Sequence, residues 1–184
     1  MKKILRLEQL AYAYEKGSYA LKNIDLTVHA GERIAVLGNN GAGKSTLFLC
    51  ACGVLPPQKG AVYLDEQRVT QKNRTALRRA AGIVFQDADN QIIGATVEAE
   101  VGFGPSNLML SADEIAAATD AALSQMQLQS LRSSPPHFLS GGEKKRVSIA
   151  DILAMQPQVI FMDEPTASLD TLHVQKLEET LAAL

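Results

Sequence analysis

Apolar and polar residues alternate loosely from residue 3 to residue 14, and with a period of two through Ile24-Asp25-Leu26-Thr27-Val28. That is the pattern of strands with one face on a core. His29-Ala30-Gly31-Glu32 reads as a turn, and Ile34-Ala35-Val36-Leu37 is a continuous apolar run ending in glycine. Such a run predicts a strand buried on both faces, as in a parallel sheet. A helix is expected from Lys44 to about Cys52, stopped by Gly53 and Pro56-Pro57. Residues 62–64 and 83–85 are further strand candidates, and Val159-Ile160-Phe161-Met162 is a second buried run.

The stretch 96–154 is different, mostly helical and rich in alanine. Ser111-Ala112-Asp113-Glu114 reads as a capping box, after which Ile115, Thr119, Ala122 and Met126 share one helical face. Ser133-Ser134-Pro135-Pro136 is a loop, and 171–184 a final helix. Strand, helix, helical insert, strand, helix is an α/β plan with an inserted helical lobe.

Composition narrows the function classes. The 184 residues fit one large domain, and 46% hydrophobic with 21% charged residues is ordinary for a globular chain. No run approaches 18 apolar residues, and the basic start lacks the apolar segment of a signal peptide, so a cytoplasmic location is expected. A net charge of −2 disfavours nucleic acid as partner. Cys50 and Cys52 are too few and too closely spaced for a zinc site, and are expected as buried helix residues.

Gly38-Asn39-Asn40-Gly41-Ala42-Gly43-Lys44-Ser45 fits G-x-x-x-x-G-K-[ST], with Thr46 closing the segment. Glycines let backbone N–H groups turn inward around an anion, and the following helix offers its N-terminus. Lys44 adds charge at the β and γ oxygens of a triphosphate, and the Ser45 hydroxyl suits Mg²⁺. Downstream, Asp163 and Glu164 end the apolar run 159–162, where open α/β sheets bind ligands. Asp163 is the candidate metal ligand. Glu164 is the candidate base that polarises a water.

Leu139-Ser140-Gly141-Gly142-Glu143 resembles the signature of ATP-binding cassette proteins. Ser140 suits the cap of a helix starting near Glu143, and Gly141 and Gly142 leave N–H groups open to an anion. The resemblance implies a P-loop NTPase of ABC ATPase type. Its fold is a mostly parallel core sheet with an N-terminal antiparallel part and an inserted helical subdomain. Residues 1–86 and 155–184 would form the nucleotide-binding core and 87–154 the helical subdomain. It also implies ATP and Mg²⁺ as cofactors, and a head-to-tail dimer, of like or unlike chains, in which Ser140, Gly141 and Gly142 meet the γ-phosphate bound by the other subunit. Gln86 is similar to the Q-loop glutamine, a ligand of Mg²⁺ or of the attacking water. Ser168-Leu169-Asp170 is similar to the interfacial D-loop, and Tyr14 to the aromatic residue that stacks on adenine. Lys144-Lys145-Arg146 reads instead as a solvated helix face.

Residues 86–105 are similar to the Q-loop region of energy-coupling factor and cobalt or nickel importer ATPases, although that group often has Asn-Pro at Asp87-Ala88. There the segment shapes the groove for a helix of a membrane subunit, which implies a peripheral place on the cytoplasmic face. The family's switch histidine follows on a later strand. His173 lies inside the last helix and cannot fill that role; it reads as a surface residue, and turn or loop roles suffice for His29 and His137. The expectation is therefore a C-terminally short chain, fragment or shortened product, with an unpaired sheet edge and with ATP binding retained better than hydrolysis. Transport ATPase and hydrolysis-poor nucleotide module both stay open. A repair-type cassette fits poorly, since only 53 residues lie between Gln86 and Ser140 and no heptads are visible.

Overall fold

The computed structural model describes residues 1–15, 17–167, 169 and 171–182. The chain divides into two compact units. One is Met1–Ile83 with Gln158–Asp163, the other Val84–Pro157 with Glu164–Leu184.

In the first unit, β1 (Lys3–Glu15) pairs antiparallel with β2 (Ser18–His29) and with β3 (Lys59–Leu64), which is followed by the short β4 (Gln67–Arg68). The register sets apolar against apolar: Leu5 faces Val28 and Leu64, and Leu7 faces Leu26 and Val62. Cross-strand pairs of this kind stabilise a sheet and hold its register. A bulge re-aims β1 near Gln9, which takes a φ of 45°, and its N–H donates to Asp25 Oδ1 at 2.8 Å. The helices α1 (Lys44–Ala51) and α2 (Arg74–Ala80) and the paired strands β5 (Ala81–Val84) and β6 (Val159–Met162) complete the unit. Leu5, Leu7 and Leu10 of β1 join Leu47 and Phe48 of α1, Leu77 of α2 and Phe161 of β6 in one core. Each such side chain contributes roughly 1.5–3 kcal/mol by leaving water. Cys50 and Cys52 are buried and unpaired with each other, as expected.

The run 34–37 departs from its expectation. It is not a strand, and Ile34 is 40% and Leu37 90% exposed. A run buried on both faces needs a ladder partner on each side, and among the described residues the second sheet holds β5 and β6 alone. The strand expected at 83–85 forms two residues earlier.

The second unit is helical: α3 (Val97–Val101), α4 (Phe103–Asn107), α5 (Ala112–Gln125), α6 (Gly141–Ala154) and α7 (Thr171–Ala182). The expected capping box at Ser111 is present, and Thr119, Ala122 and Met126 are buried along one face of α5 and its end. In the same unit Val97, Val101, Leu128, Val147 and Ile149 are each 0% exposed. Arg132 ties Glu98 to Asp120, at 2.6 Å each, and the resulting charge pairing pushes its own pKa further up. Among the described residues no helix is long and apolar enough to cross a membrane.

Candidate functional site

The glycine motif wraps the start of α1. Gly43 precedes the helix at φ 93°, and a Cβ there would stand 2.5 Å from the Ala20 carbonyl oxygen of β2. Only glycine meets both demands, so the loop closes onto the hairpin. No side chain caps the helix. The first N–H groups of a helix have no partner within it, so those of Lys44, Ser45 and Thr46 are left for a ligand. Lys44 Nζ donates to the carbonyls of Gly38 (2.8 Å) and Asn39 (3.2 Å), which holds the ammonium over residues 38–43. Asn40, Gly41 and Ala42 are exposed, as is Ser45.

Tyr14 sits beside this turn. Its hydroxyl shares a hydrogen bond with the Thr46 hydroxyl at 3.2 Å, and its ring meets Tyr12 edge-on at 5.1 Å. The ring remains 63% exposed. With Tyr19 and Gln58 it lines a depression of about 340 Å³.

β6 delivers the first carboxylate. Its Phe161 packs on Phe48 of α1, ring centres 5.2 Å apart. Ser45 lies just upstream of Phe48, and Asp163 just downstream of Phe161. Asp163 is only 8% exposed and has no hydrogen-bond or ion-pair partner among the described residues. A carboxylate that no protein group pairs is available to a cation. Among the described residues no three His, Cys, Asp or Glu side chains cluster as a metal cage. A hydroxyl, one carboxylate and phosphate oxygens are instead the hard donor set that suits Mg²⁺, so Ser45 and Asp163 fit that ion.

In the second unit Gln86 Nε2 donates to Glu164 Oε2 at 2.8 Å. Glu164 takes a φ of 46°, a conformation side chains rarely adopt. Ser140 caps α6, and the helix begins at Gly141, two residues before the expected start. Its Oγ accepts from the Glu143 N–H at 3.3 Å, while the Glu143 carboxylate accepts from the Ser140 N–H at 2.8 Å. Nothing lies within 4 Å of where a Gly141 Cβ would be. Ser168 and Asp170 lie outside the described residues, as does the side chain of His173.

The basic run after Glu143 corrects the reading of a solvated face. Lys145 is 3% exposed and donates to the carbonyls of Phe85 and Gln86. Lys144 pairs with Asp89, and Arg146 donates to the carbonyls of Met126 and Gln127. A run of charges looks solvated when the acceptors that bury it lie far off in sequence. One signal was available: Lys145 stands at helical spacing from Ile149 and Ile152, both buried, so it falls on the apolar face. Gln91, Glu100 and Asp151, which meet beside this loop, were also missed. Burial pushes the Asp151 carboxyl up to about 7; the Gln91 hydrogen bond opposes this and the Glu100 charge adds to it.

Comparison with known proteins agrees with this arrangement. The family described as ABC transporter matches residues 21–167. The energy-coupling factor transporter ATP-binding protein EcfA2 of Clostridium perfringens is 43% identical over 183 residues, covering 98% of this chain and 64% of that protein. The cobalt import ATP-binding protein CbiO of Rhodobacter capsulatus is 46% identical over 186 residues, covering 100% of this chain and 66% of that protein. The chain thus spans just under two-thirds of the length of these curated relatives. The solved structure of cbiO1 from Clostridium perfringens, part of the ABC transporter complex cbiONQ, covers 100% of this chain and 74% of its own at 43% identity and a TM-score of 0.88. The chain belongs to the ABC transporter family, and its relatives include energy-coupling factor and cobalt-import ATP-binding proteins.

Proposed function

We propose that this chain is the ATP-binding subunit of an importer and that it hydrolyses Mg-ATP in a head-to-tail dimer. It forms one ATPase domain, with residues 87–154 as its helical subdomain. The uncapped start of α1 carries the reading: a left-handed glycine, open helix N–H groups and a lysine resting on two loop carbonyls. A triphosphate supplies the missing acceptors and draws Lys44 from Gly38 and Asn39 onto its β and γ oxygens. Residues 38–46 cradle the phosphates, and the exposed Tyr14 ring offers a face to adenine. Ser45 and Asp163 would hold Mg²⁺, which would neutralise charge on the phosphate oxygens. Glu164 keeps one oxygen on Gln86 and offers the other to the attacking water.

Ser140, Gly141 and Gly142 face the γ-phosphate held by a second ATPase subunit, and Asp170 lies at that interface. Residues 86–105 receive a helix of a membrane subunit on the cytoplasmic face. Ile93 and Phe103 in this segment are 70% and 47% exposed, which supports docking. The same unit carries a groove of about 500 Å³ lined by Leu108, Leu110, Ala118, Ala121 and Met155. The cargo is a metal ion such as cobalt or nickel, or a vitamin; for cobalt the reading is supported by the name of one relative, the cobalt import ATP-binding protein CbiO.

The test is Mg-ATP affinity and steady-state turnover, measured beside Lys44→Ala. Removing charged hydrogen bonds to phosphate should weaken binding about a hundredfold or more. Equal affinity in the variant would sink the phosphate site. Tight binding without turnover would keep the site and remove the hydrolytic half of the reading.

A further inference from the structure

The basic residues that follow the signature glycines hold the loop that carries Gln86. Lys145 Nζ donates to the Phe85 carbonyl at 2.8 Å and the Gln86 carbonyl at 2.6 Å. Lys144 Nζ meets Asp89 at 2.6 Å. Further along α6, the Ser148 carbonyl and the Asp151 carboxylate accept from Gln91 Nε2 at 2.9 and 3.3 Å. Positions 144, 148 and 151 are spaced i, i+4 and i+7, so one stripe of α6 holds Asp89 and Gln91, while the neighbouring Lys145 holds the backbone of residues 85–86. Gln91 closes the loop from within, its Oε1 accepting from the Phe85 N–H at 3.2 Å. Gln86 then reaches Glu164 with its own amide, at 2.8 Å.

A hydrogen-bonded path therefore runs from the first turns of α6 through Lys145 and the Gln86 backbone to Glu164. We propose that Lys145 is a positioning residue: it fixes the Phe85–Gln86 backbone to the helix that begins at the signature, and so sets where the Gln86 amide stands against Glu164. Lys145 is nearly buried, and its ammonium donates to two carbonyls of this loop. Displacing it strands a charge and two acceptors in a dry environment. Movement of the α6 N-terminus is thereby passed to Gln86 and is not absorbed by the loop. The consequence for turnover rests on the roles proposed above for Gln86 and Glu164; the tether itself does not.

The experiment compares the full chain with Lys145→Met and Lys145→Gln. Methionine matches the length of lysine but donates nothing, while glutamine keeps a donor. Three quantities are read: backbone amide exchange in residues 85–94 against α5, Mg-ATP affinity, and kcat separately from KM. Lys145→Met should speed exchange in 85–94 about tenfold or more with α5 unchanged, leave Mg-ATP affinity within about twofold, and lower kcat about tenfold at constant KM. Lys145→Gln should recover part of each loss, and it carries the test if the methionine variant does not fold. Unchanged exchange in 85–94, or exchange raised equally in α5, would overturn the proposal. So would a kcat that stays constant in a chain that turns over. If the unsubstituted chain neither binds nor hydrolyses ATP, the functional reading fails, and the exchange comparison still decides the tether.

Discussion

The first turn of α1 is held by backbone alone, whereas that of α6 is closed by its own side chains. Gly43 brings α1 to its start in a left-handed conformation with no side-chain cap. Ser140 and Glu143 close α6 reciprocally, Oγ on one N–H and carboxylate on the other. Both helices follow glycine-bearing motifs, so glycine content does not separate them. The difference lies in when the N–H groups are satisfied. At α1 they wait for an anion that the loop must wrap. At α6 they are met by the helix's own Ser140 and Glu143, and open space lies at Gly141.

The sharpest break in that comparison is Gly43→Ala. The position combines φ 93° with a Cβ that would press to 2.5 Å on the Ala20 carbonyl oxygen. Left-handed strain and the clash together should cost about 2–4 kcal/mol. Mg-ATP binding should fall with the loop's shape. Denaturant midpoints and nucleotide titration read the two effects, and a variant of unchanged stability would mean that the loop does not close on β2.

The later turns sharpen the contrast. At the end of α1 stand Cys50, in its last turn, and Cys52, just after it, which burial pushes up to about 11 and about 12, so both stay neutral at ordinary pH. On α6 burial holds Asp151 at about 7 against an ordinary 3.8, with Gln91 and Glu100 as its polar neighbours. Native Asp151 keeps a proton that the unfolded chain has released. The stability it contributes is full below the unfolded pKa and is lost as pH rises through about 7. Asp151→Asn should remove this part of the decline between pH 5.5 and 8 and raise stability at pH 8, by up to about 2 kcal/mol after allowance for partial solvation. A slope unchanged by the substitution would place the titrating group elsewhere.

Ser140→Ala tests the cap itself, and Ser111→Ala is its internal control. The two boxes share their geometry, with Oγ 3.3 Å from the third helical N–H in each. Each should cost about 1 kcal/mol of unfolding free energy. If Ser140→Ala costs the same as its control yet alone abolishes turnover, the serine does more than cap. If both lose only stability, the signature helix has no role at a phosphate.

Much of this was legible in the sequence because it is local. The glycine spacing announced α1, S-x-x-E announced the start of α5, and four apolar residues before two acids announced β6. What failed was non-local. The run 34–37 was read as doubly buried from its composition, but burial depends on which strands stand beside it. Lys145 was hidden because its acceptors lie 59 and 60 residues away in sequence, and the fold alone brings them onto α6. The Gln86–Glu164 pair likewise spans 78 residues. Their types and motif positions could be read from the chain, but not their contact.

The smallest expected effect on the isolated chain is also the most discriminating. Gly141 has no positive φ, and a Cβ there meets nothing within 4 Å. Alanine at the first helical position is compatible with the backbone and restricts the unfolded chain, so Gly141→Ala should change stability by no more than about 1 kcal/mol, in the stabilising direction. Mg-ATP affinity of the single chain should not change if, as proposed above, its own phosphates bind at α1. In the dimer proposed above, the open space at Gly141 would admit close approach of a phosphate held by a second subunit. Turnover and ATP-dependent association, read by light scattering, should fall while folding and first binding stay intact. Equal loss from Gly43→Ala and Gly141→Ala in single-chain binding would place both helix N-termini on one nucleotide and dissolve the contrast between them.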